Sequence, residues 1–495
     1  MSKKMKKYIW KISTIIICFS ISSLVFAQTK TTDECLACHV ELDDELLTPA
    51  QNYINDIHYK KNITCAGCHG GNPNSDDTEI SMSEESGFIG IPDKATRYEV
   101  CVNCHANDET MNNYNSSLPT DQFDKLKISI HFQPSFDNTG PITDCITCHS
   151  VHNISKVDDP RSKVYPTKIV SLCGGCHTSA DIIKNYNPAL PIDQVAKYKT
   201  SVHGKLNISG DPNVAECASC HGSHDIFASN DPRSHVYATN IPEVCAKCHS
   251  NAELMKGYNL PTDQYDSYNK SVHGLALLEK GDISAPSCND CHGNHGAVPP
   301  GVESISKVCG SCHVLNMELF EKSPHQKAFT ENDFPECETC HGNHSIRYVT
   351  DDMIGTQESA VCIECHSSDD DNNGYFVAGK MKMLIDSLKN EDKATKEILE
   401  EATQKGMDIS DSEYSLKDVR QILIQSRTTI HTFNLEKFKE KINEGFTIVG
   451  KARQAGTDAV DDYYFRRVGL GIATIIVTIL VIGLYIKIRR LEKKT

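Results

Sequence analysis

The chain has 495 residues, a formal net charge of −16 and a hydrophobic content of 39%. That length suits two or three domains, and so acidic a surface excludes nucleic acid as a partner, because phosphate backbones need Lys and Arg to neutralise them. Cysteine and histidine stand far above ordinary usage, at 23 and 22 residues, and their spacing organises the rest.

The N-terminal "MSKKMKKYIWKISTIIICFSISSLVFAQ" has a lysine-rich start, an apolar middle and small residues near Val25-Phe26-Ala27. It reads as a signal peptide over 1–27, cleaved after Ala27 and taking Cys18 with it; the alternative is an uncleaved anchor. Export makes disulfides possible downstream.

The other 22 cysteines fall into eleven C-x-x-C-H motifs. In chain order these are Cys35, Cys38 and His39; Cys65, Cys68 and His69; Cys101, Cys104 and His105; Cys145, Cys148 and His149; Cys173, Cys176 and His177; Cys217, Cys220 and His221. Then come Cys245, Cys248 and His249; Cys288, Cys291 and His292; Cys309, Cys312 and His313; Cys337, Cys340 and His341; Cys362, Cys365 and His366. This is the attachment signature of haem c. Two thiols about one helical turn apart form thioethers with the two vinyl groups, and the next residue ligates the iron from the proximal side. Zinc also uses C-x-x-C pairs, and an even cysteine count suits disulfides. Neither explains a histidine after the second cysteine every time, so eleven covalent haems are expected.

From residue 112 the chain repeats itself with a period of about 72 residues. "KNYNPALPIDQVAKYKTSVHG" (184–204) matches "KGYNLPTDQYDSYNKSVHG" (256–274), and "DDPRSKVYPTKIVSLCGGCH" (158–177) matches "NDPRSHVYATNIPEVCAKCH" (230–249). Such self-similarity means stacked units sharing an interior. Each unit has a histidine in a short helical stretch, a first C-x-x-C-H with a further histidine three residues on, and a second C-x-x-C-H. The upstream histidines are His58, His131, His203, His273 and His325; the downstream ones are His152, His224, His295 and His344, with Asn72 in that place in the first unit. A histidine one turn beyond its own motif cannot reach the opposite face of that haem, so these residues are expected to be distal ligands of neighbouring haems. His235 aligns with Lys163 and is expected at the surface. Nine distal candidates, or ten counting His431 below, serve eleven irons; one or two are left to methionine, lysine, water or nothing.

About 30 residues per haem cannot build an ordinary apolar core. The expected fold is therefore mainly α with little regular secondary structure and no significant sheet, the porphyrins themselves forming the interior. We divide the chain into a three-haem segment over 28–115, two-haem units over 116–370 and a helical segment over 371–465. There "SLKD" (415–418) resembles a capping box, and Phe438, Ile442, Phe446 and Val449 recur at helical spacing. "SRTTIH" brings His431, with Arg427 one turn earlier, toward the haems as a ligand or substrate contact; otherwise these helices are a stalk or clamp. Residues 468–488 are long and apolar enough to span a bilayer, and the tail over 489–495 carries Arg489, Arg490, Lys493 and Lys494, the bias of a cytoplasmic side.

The "CHGxH" repeats across 35–366 resemble multihaem cytochromes c of the class III type and their doubled-motif relatives. That resemblance implies stacked bis-histidine haems acting as an electron wire. Haems followed by long helices also resemble the octahaem hydroxylamine oxidoreductases and tetrathionate reductases. Here, however, every motif ends in histidine, without the C-x-x-C-K of pentahaem nitrite reductases, and the anchor is C-terminal rather than N-terminal as in quinol-oxidising cytochromes. The expectation is a single-pass protein of the inner (cytoplasmic) membrane with its haems facing the periplasm or exterior. It would pass electrons from a quinol-linked membrane complex to redox partner proteins. The alternative is a reductase or oxidase of small nitrogen or sulfur compounds at one open haem. Whether the chain is also an enzyme, and which residues would be catalytic, stays open at this point.

Overall fold

A computed structural model describes residues 33–43, 45–298, 305–369 and 373–493, so the expected signal peptide and Cys18 lie outside the described residues. Among the described residues there is no strand, only one isolated bridge between Pro134 and Pro141. The chain divides into two compact units. One comprises residues up to Cys245 together with Asn294–Val298; the other comprises Ala246–Gly293 and the chain from Pro299 on.

Most of the first unit is short helices set at the motifs. A one-turn helix is unstable alone because its first N–H groups lack partners, and here side chains cap it. Asp144 caps Cys145–His149 and Glu216 caps Cys217–His221, each in a reciprocal capping box with Thr147 or Ser219. After the motif histidine the backbone turns out of the helix at positive φ, at Gly70 (67°) and Gly222 (82°). Ser150 takes the same conformation at 71° without glycine's freedom.

The upstream histidines also sit on capped turns. The residue two before each is buried: Asp56, Ser129 and Ser201 in this unit. Each accepts a hydrogen bond from the turn that follows, from His58 N, His131 N and Gly204 N. Tyr53 and Tyr198, five residues before their histidines, donate to the carbonyls of Ile63 and Ala215, just ahead of the next motif. Buried apolar side chains are sparse and scattered here, Ile169, Val170, Ile183 and Val214 among them.

In the second unit the same devices return, with Ser287 capping Cys288–His292 and Tyr268 donating to the carbonyl of Pro286. Its C-terminal part differs in kind. The helices Gly374–Gln404, Ser410–Thr429 and Leu435–Glu492 bury one continuous cluster including Met381, Ile385, Leu388, Leu399, Val419 and Phe438. Ile442 and Val449 are fully buried and Phe446 packs against the cluster, so the helical stripe expected from the sequence is the core face. "SLKD" is not a cap. Ser415 and Asp418 lie inside the Ser410–Thr429 helix, which starts beside an Asp408–Ser410 turn.

The last helix has 58 residues, and one stretch of it has a mean hydropathy of 2.5 with none of that stretch buried. It is long and apolar enough to cross a membrane.

Candidate haem-binding site

The histidines of the motifs do not gather around shared points; they meet in facing pairs. In the first unit His58 faces His105 with ring centroids 6.0 Å apart, and His131 faces His177 at 6.1 Å. His152 faces His69 at 6.0 Å, His224 faces His149 at 6.2 Å and His295 faces His221 at 6.0 Å. In the second unit His273 faces His313 at 6.3 Å, His325 faces His366 at 5.9 Å, His344 faces His292 at 5.9 Å and His431 faces His341 at 6.2 Å.

A simple register governs these pairs. An upstream histidine meets the second motif of its own unit, whereas a downstream histidine meets the first motif of the unit before. The sequence marked both sets but did not show which motif each would meet. Backbone contacts hold the register. The residue before the upstream histidine donates to the carbonyl two beyond the downstream histidine of the next unit. Ile57 bonds Ile154 at 2.8 Å, Ile130 bonds Ile226 at 2.9 Å, Val202 bonds Ala297 at 3.1 Å and Val272 bonds Ile346 at 2.9 Å. At the end of the array Pro324 has no N–H to give, and Phe433, two beyond His431, instead packs its ring 3.8 Å from that of His325.

The two sets differ in ring orientation. The pairs made by downstream histidines and by His431 are close to parallel, at 14°, 11°, 8°, 8° and 21°. Those made by upstream histidines are steeper, at 86°, 74° and 89°, with 31° for His273–His313.

The spacing fits a haem iron. Two metal–nitrogen bonds of ~2 Å, plus the distance from each nitrogen to its ring centre, need about 6 Å between centroids. The donors are also in the right state, because a ligating imidazole must be neutral. Burial pushes His131, His221 and His325 down to about 4, with a facing imidazole adding to the effect. The Nδ1 atoms of His131 and His325 are buried without a protein partner, which is costly unless another group completes the site. Elsewhere Nδ1 is fixed by a neighbour. His58 bonds Asp56 at 2.8 Å, His69 the Gly90 carbonyl at 2.8 Å and His431 the Thr428 carbonyl at 3.0 Å, which orients each ring and leaves Nε2 for a metal.

The thiols lie beside these pairs, and none of the described cysteines forms a disulfide. Successive motifs approach one another through their sulfurs: Cys101 is in hydrogen-bond contact with Cys145, Cys173 with Cys217, and Cys309 with Cys337. Motif order along the chain is therefore neighbour order in space within each unit.

Some residues sit elsewhere than the sequence suggested. His235 is half-buried and pairs with Asp225 at 3.3 Å. Arg427 does not accompany His431 to the motifs; its guanidinium holds Asp351, with Nε at 2.7 Å. Asp56 carried no signal at all, being the only carboxylate in a position that other units fill with serine. His203 and His249 each take part in interactions of their own.

The family comparisons agree with this geometry. Residues 57–178 match the family model described as cytochrome c3, and residues 327–371 match the doubled CXXCH motif model. No curated protein matches the chain. With covalent haem c attached at its C-x-x-C-H motifs, the chain is a multihaem c-type cytochrome, an electron-transfer protein with an apolar C-terminal helix.

Proposed function

We propose that the protein is a membrane-anchored conduit in which eleven haems pass electrons between a quinol-linked donor at the membrane and acceptors in the periplasm or outside the cell. Haem supplies reversible one-electron chemistry at iron. The polypeptide fixes its cofactors by pairs of thiols, orients the axial imidazoles and keeps neighbouring motifs adjacent. The observation that carries the reading is the set of facing histidine pairs among the described residues, each at a spacing that suits one iron, following chain order within each unit.

Bis-histidine ligation favours low potentials, which suits anaerobic respiration. Ten histidines serve as distal ligands in this reading: His58, His131, His152, His203, His224, His273, His295, His325, His344 and His431. The apolar span over 468–488 and the basic tail after it support an orientation with the haems outside the cytoplasm. Domain limits follow the same logic, with the repeated units over 116–370 and the helical segment over 371–465 as a clamp on the last haems.

Reductive titration of the full-length protein in detergent tests the proposal. Reversible uptake of eleven electrons per chain, without turnover of nitrite or hydroxylamine, is expected. A smaller uptake would contradict the eleven-haem array, and turnover of either compound at a rate matching reduction would favour the enzyme reading instead. Truncation before Val468 should release the protein from membranes, and persistent association would mean a second anchor.

A further inference from the structure

The last two C-x-x-C-H motifs are tied to one end of a single long helix. Leu435–Glu492 runs unbroken from the turn that carries His431 into the apolar span. His431, just ahead of this helix, faces His341 at 6.2 Å. Phe433, closer still to its start, lies 3.8 Å from the ring of His325, which itself faces His366 at 5.9 Å. From Leu435 to Arg467, where the span over 468–488 is about to begin, an α-helix rises about 50 Å.

Two further helices stiffen that distance. Gly445 sits against Leu388 and Gly456 against Leu399, where an added Cβ would come within 2.6 and 2.7 Å. Gly374–Gln404 therefore runs beside the long helix in the same direction. Its far end brings Lys405 Nζ to 5.3 Å from the ring of Tyr464, just outside the span. Ser410–Thr429 then returns to the His431 turn. A helix crossing a bilayer tilts by up to about 40°, which still leaves the His431 end about 40 Å from the membrane surface. Electron tunnelling falls off exponentially with distance, so a quinol ring held in the bilayer is out of reach of both motifs. Cys365, the second thiol of the last motif, is exposed, which leaves that attachment point open to a partner at the same height.

Resting on the membrane-anchored conduit proposed above, we infer that the haems at Cys337 and Cys362 take electrons from a second protein and not from quinol directly. The donor is a reduced haem or iron–sulfur centre that this protein carries outside the membrane, about 40 Å above the bilayer. One electron leaves that centre and reduces Fe(III) to Fe(II), with no bond made and no proton required.

The test uses the full-length protein in liposomes, reduced with stoichiometric dithionite, and runs in the oxidising direction, which crosses the same gap. Menadione, which reaches the water, and menaquinone-9, confined to the bilayer, present the same ring. Each takes two electrons from two haems and two protons from water. Oxidation by menadione should be at least a hundredfold faster. A flexible Gly-Ser insertion of about ten residues after Arg467, outside the packed bundle, should let the haem-bearing part bend to the bilayer and raise the menaquinone-9 rate at least tenfold. Electron microscopy in nanodiscs gives a second readout, with the His431 end of the bundle about 40 Å clear of the disc. Equal rates with the two quinones, no gain from the insertion, or a bundle end resting on the disc overturns the inference. Protein that fails to associate with liposomes, or that yields fewer than eleven electrons per chain, overturns the conduit reading beneath it.

Discussion

His431 faces His341 across 6.2 Å with ring planes 21° apart, although it lies beyond the last C-x-x-C-H motif. It is carried on the Ile430–Thr432 turn between two long helices, and Asn434 caps the helix that follows. The apolar helical cluster thereby brings an imidazole to the Cys337–His341 motif. Replacing His431 by alanine should turn one further haem high-spin and leave the spin states of the rest unchanged with full haem content. Electron paramagnetic resonance of the ferric protein checks this; an unchanged spectrum would remove His431 from the ligand set.

Asp56 accepts three hydrogen bonds: from His58 Nδ1 at 2.8 Å, from His58 N at 2.9 Å and from Ile154 N at 2.6 Å. Burial alone would raise its pKa, but these donors outweigh it and hold the carboxyl below the usual range. A carboxylate on Nδ1 makes the imidazole a stronger donor and favours Fe(III). Asp56→Asn should therefore raise the potential of the haem bound at Cys101 and Cys104, as read by redox titration. It should also destabilise the fold by roughly 1–3 kcal/mol, the usual cost of weakening a buried polar network.

Ser150 occupies φ 71° and ψ −173°, a region that suits glycine, where other units have Gly70, Gly222, Gly293 and Gly342. The strain at such a position is about 1–3 kcal/mol. Ser150→Gly should relieve it at some cost in unfolded-state entropy, for a net gain of about 1 kcal/mol. Calorimetry should show a higher unfolding temperature; a lower one would contradict the account.

The last unit should also show a defined acid weakness. The Arg427 guanidinium holds Asp351 down to about 2 against the opposing effect of burial, and Lys389 at 3.0 Å assists. A depressed carboxyl contributes its stability in full above the unfolded value of about 4 and loses it as pH falls toward the folded value. Since both cations are partly exposed, the contribution is about 1 kcal/mol. The stability difference between wild type and Asp351→Asn should be largest above pH ~4 and shrink below it; a difference that does not change with pH would refute the ion pair's role.

How much of this was legible in the sequence depends on range. Cys35 through His366 declared the attachment sites because the chemistry is local, two thiols and an imidazole within five positions. The distal candidates were legible as a repeating pattern, and the stripe through Phe438 and Ile442 as a helix face. The partner of each histidine was not, because His152 and His69 meet through folding between units that no local spacing encodes. "SLKD" misled for the opposite reason: a capping pattern acts only where the backbone is extended, and Ser415 is already helical.

The alternation of ring orientation gives the central claim its most direct test. Low-spin ferric haems with parallel imidazoles and those with perpendicular imidazoles have distinct paramagnetic spectra, because ring orientation sets the splitting of the iron d orbitals. The fully oxidised protein should show two low-spin populations: a rhombic one from sites such as His221–His295 at 8°, and a strongly anisotropic one from sites such as His58–His105 at 86°. A mainly high-spin spectrum, or one low-spin population of a single orientation, would contradict the paired-histidine array.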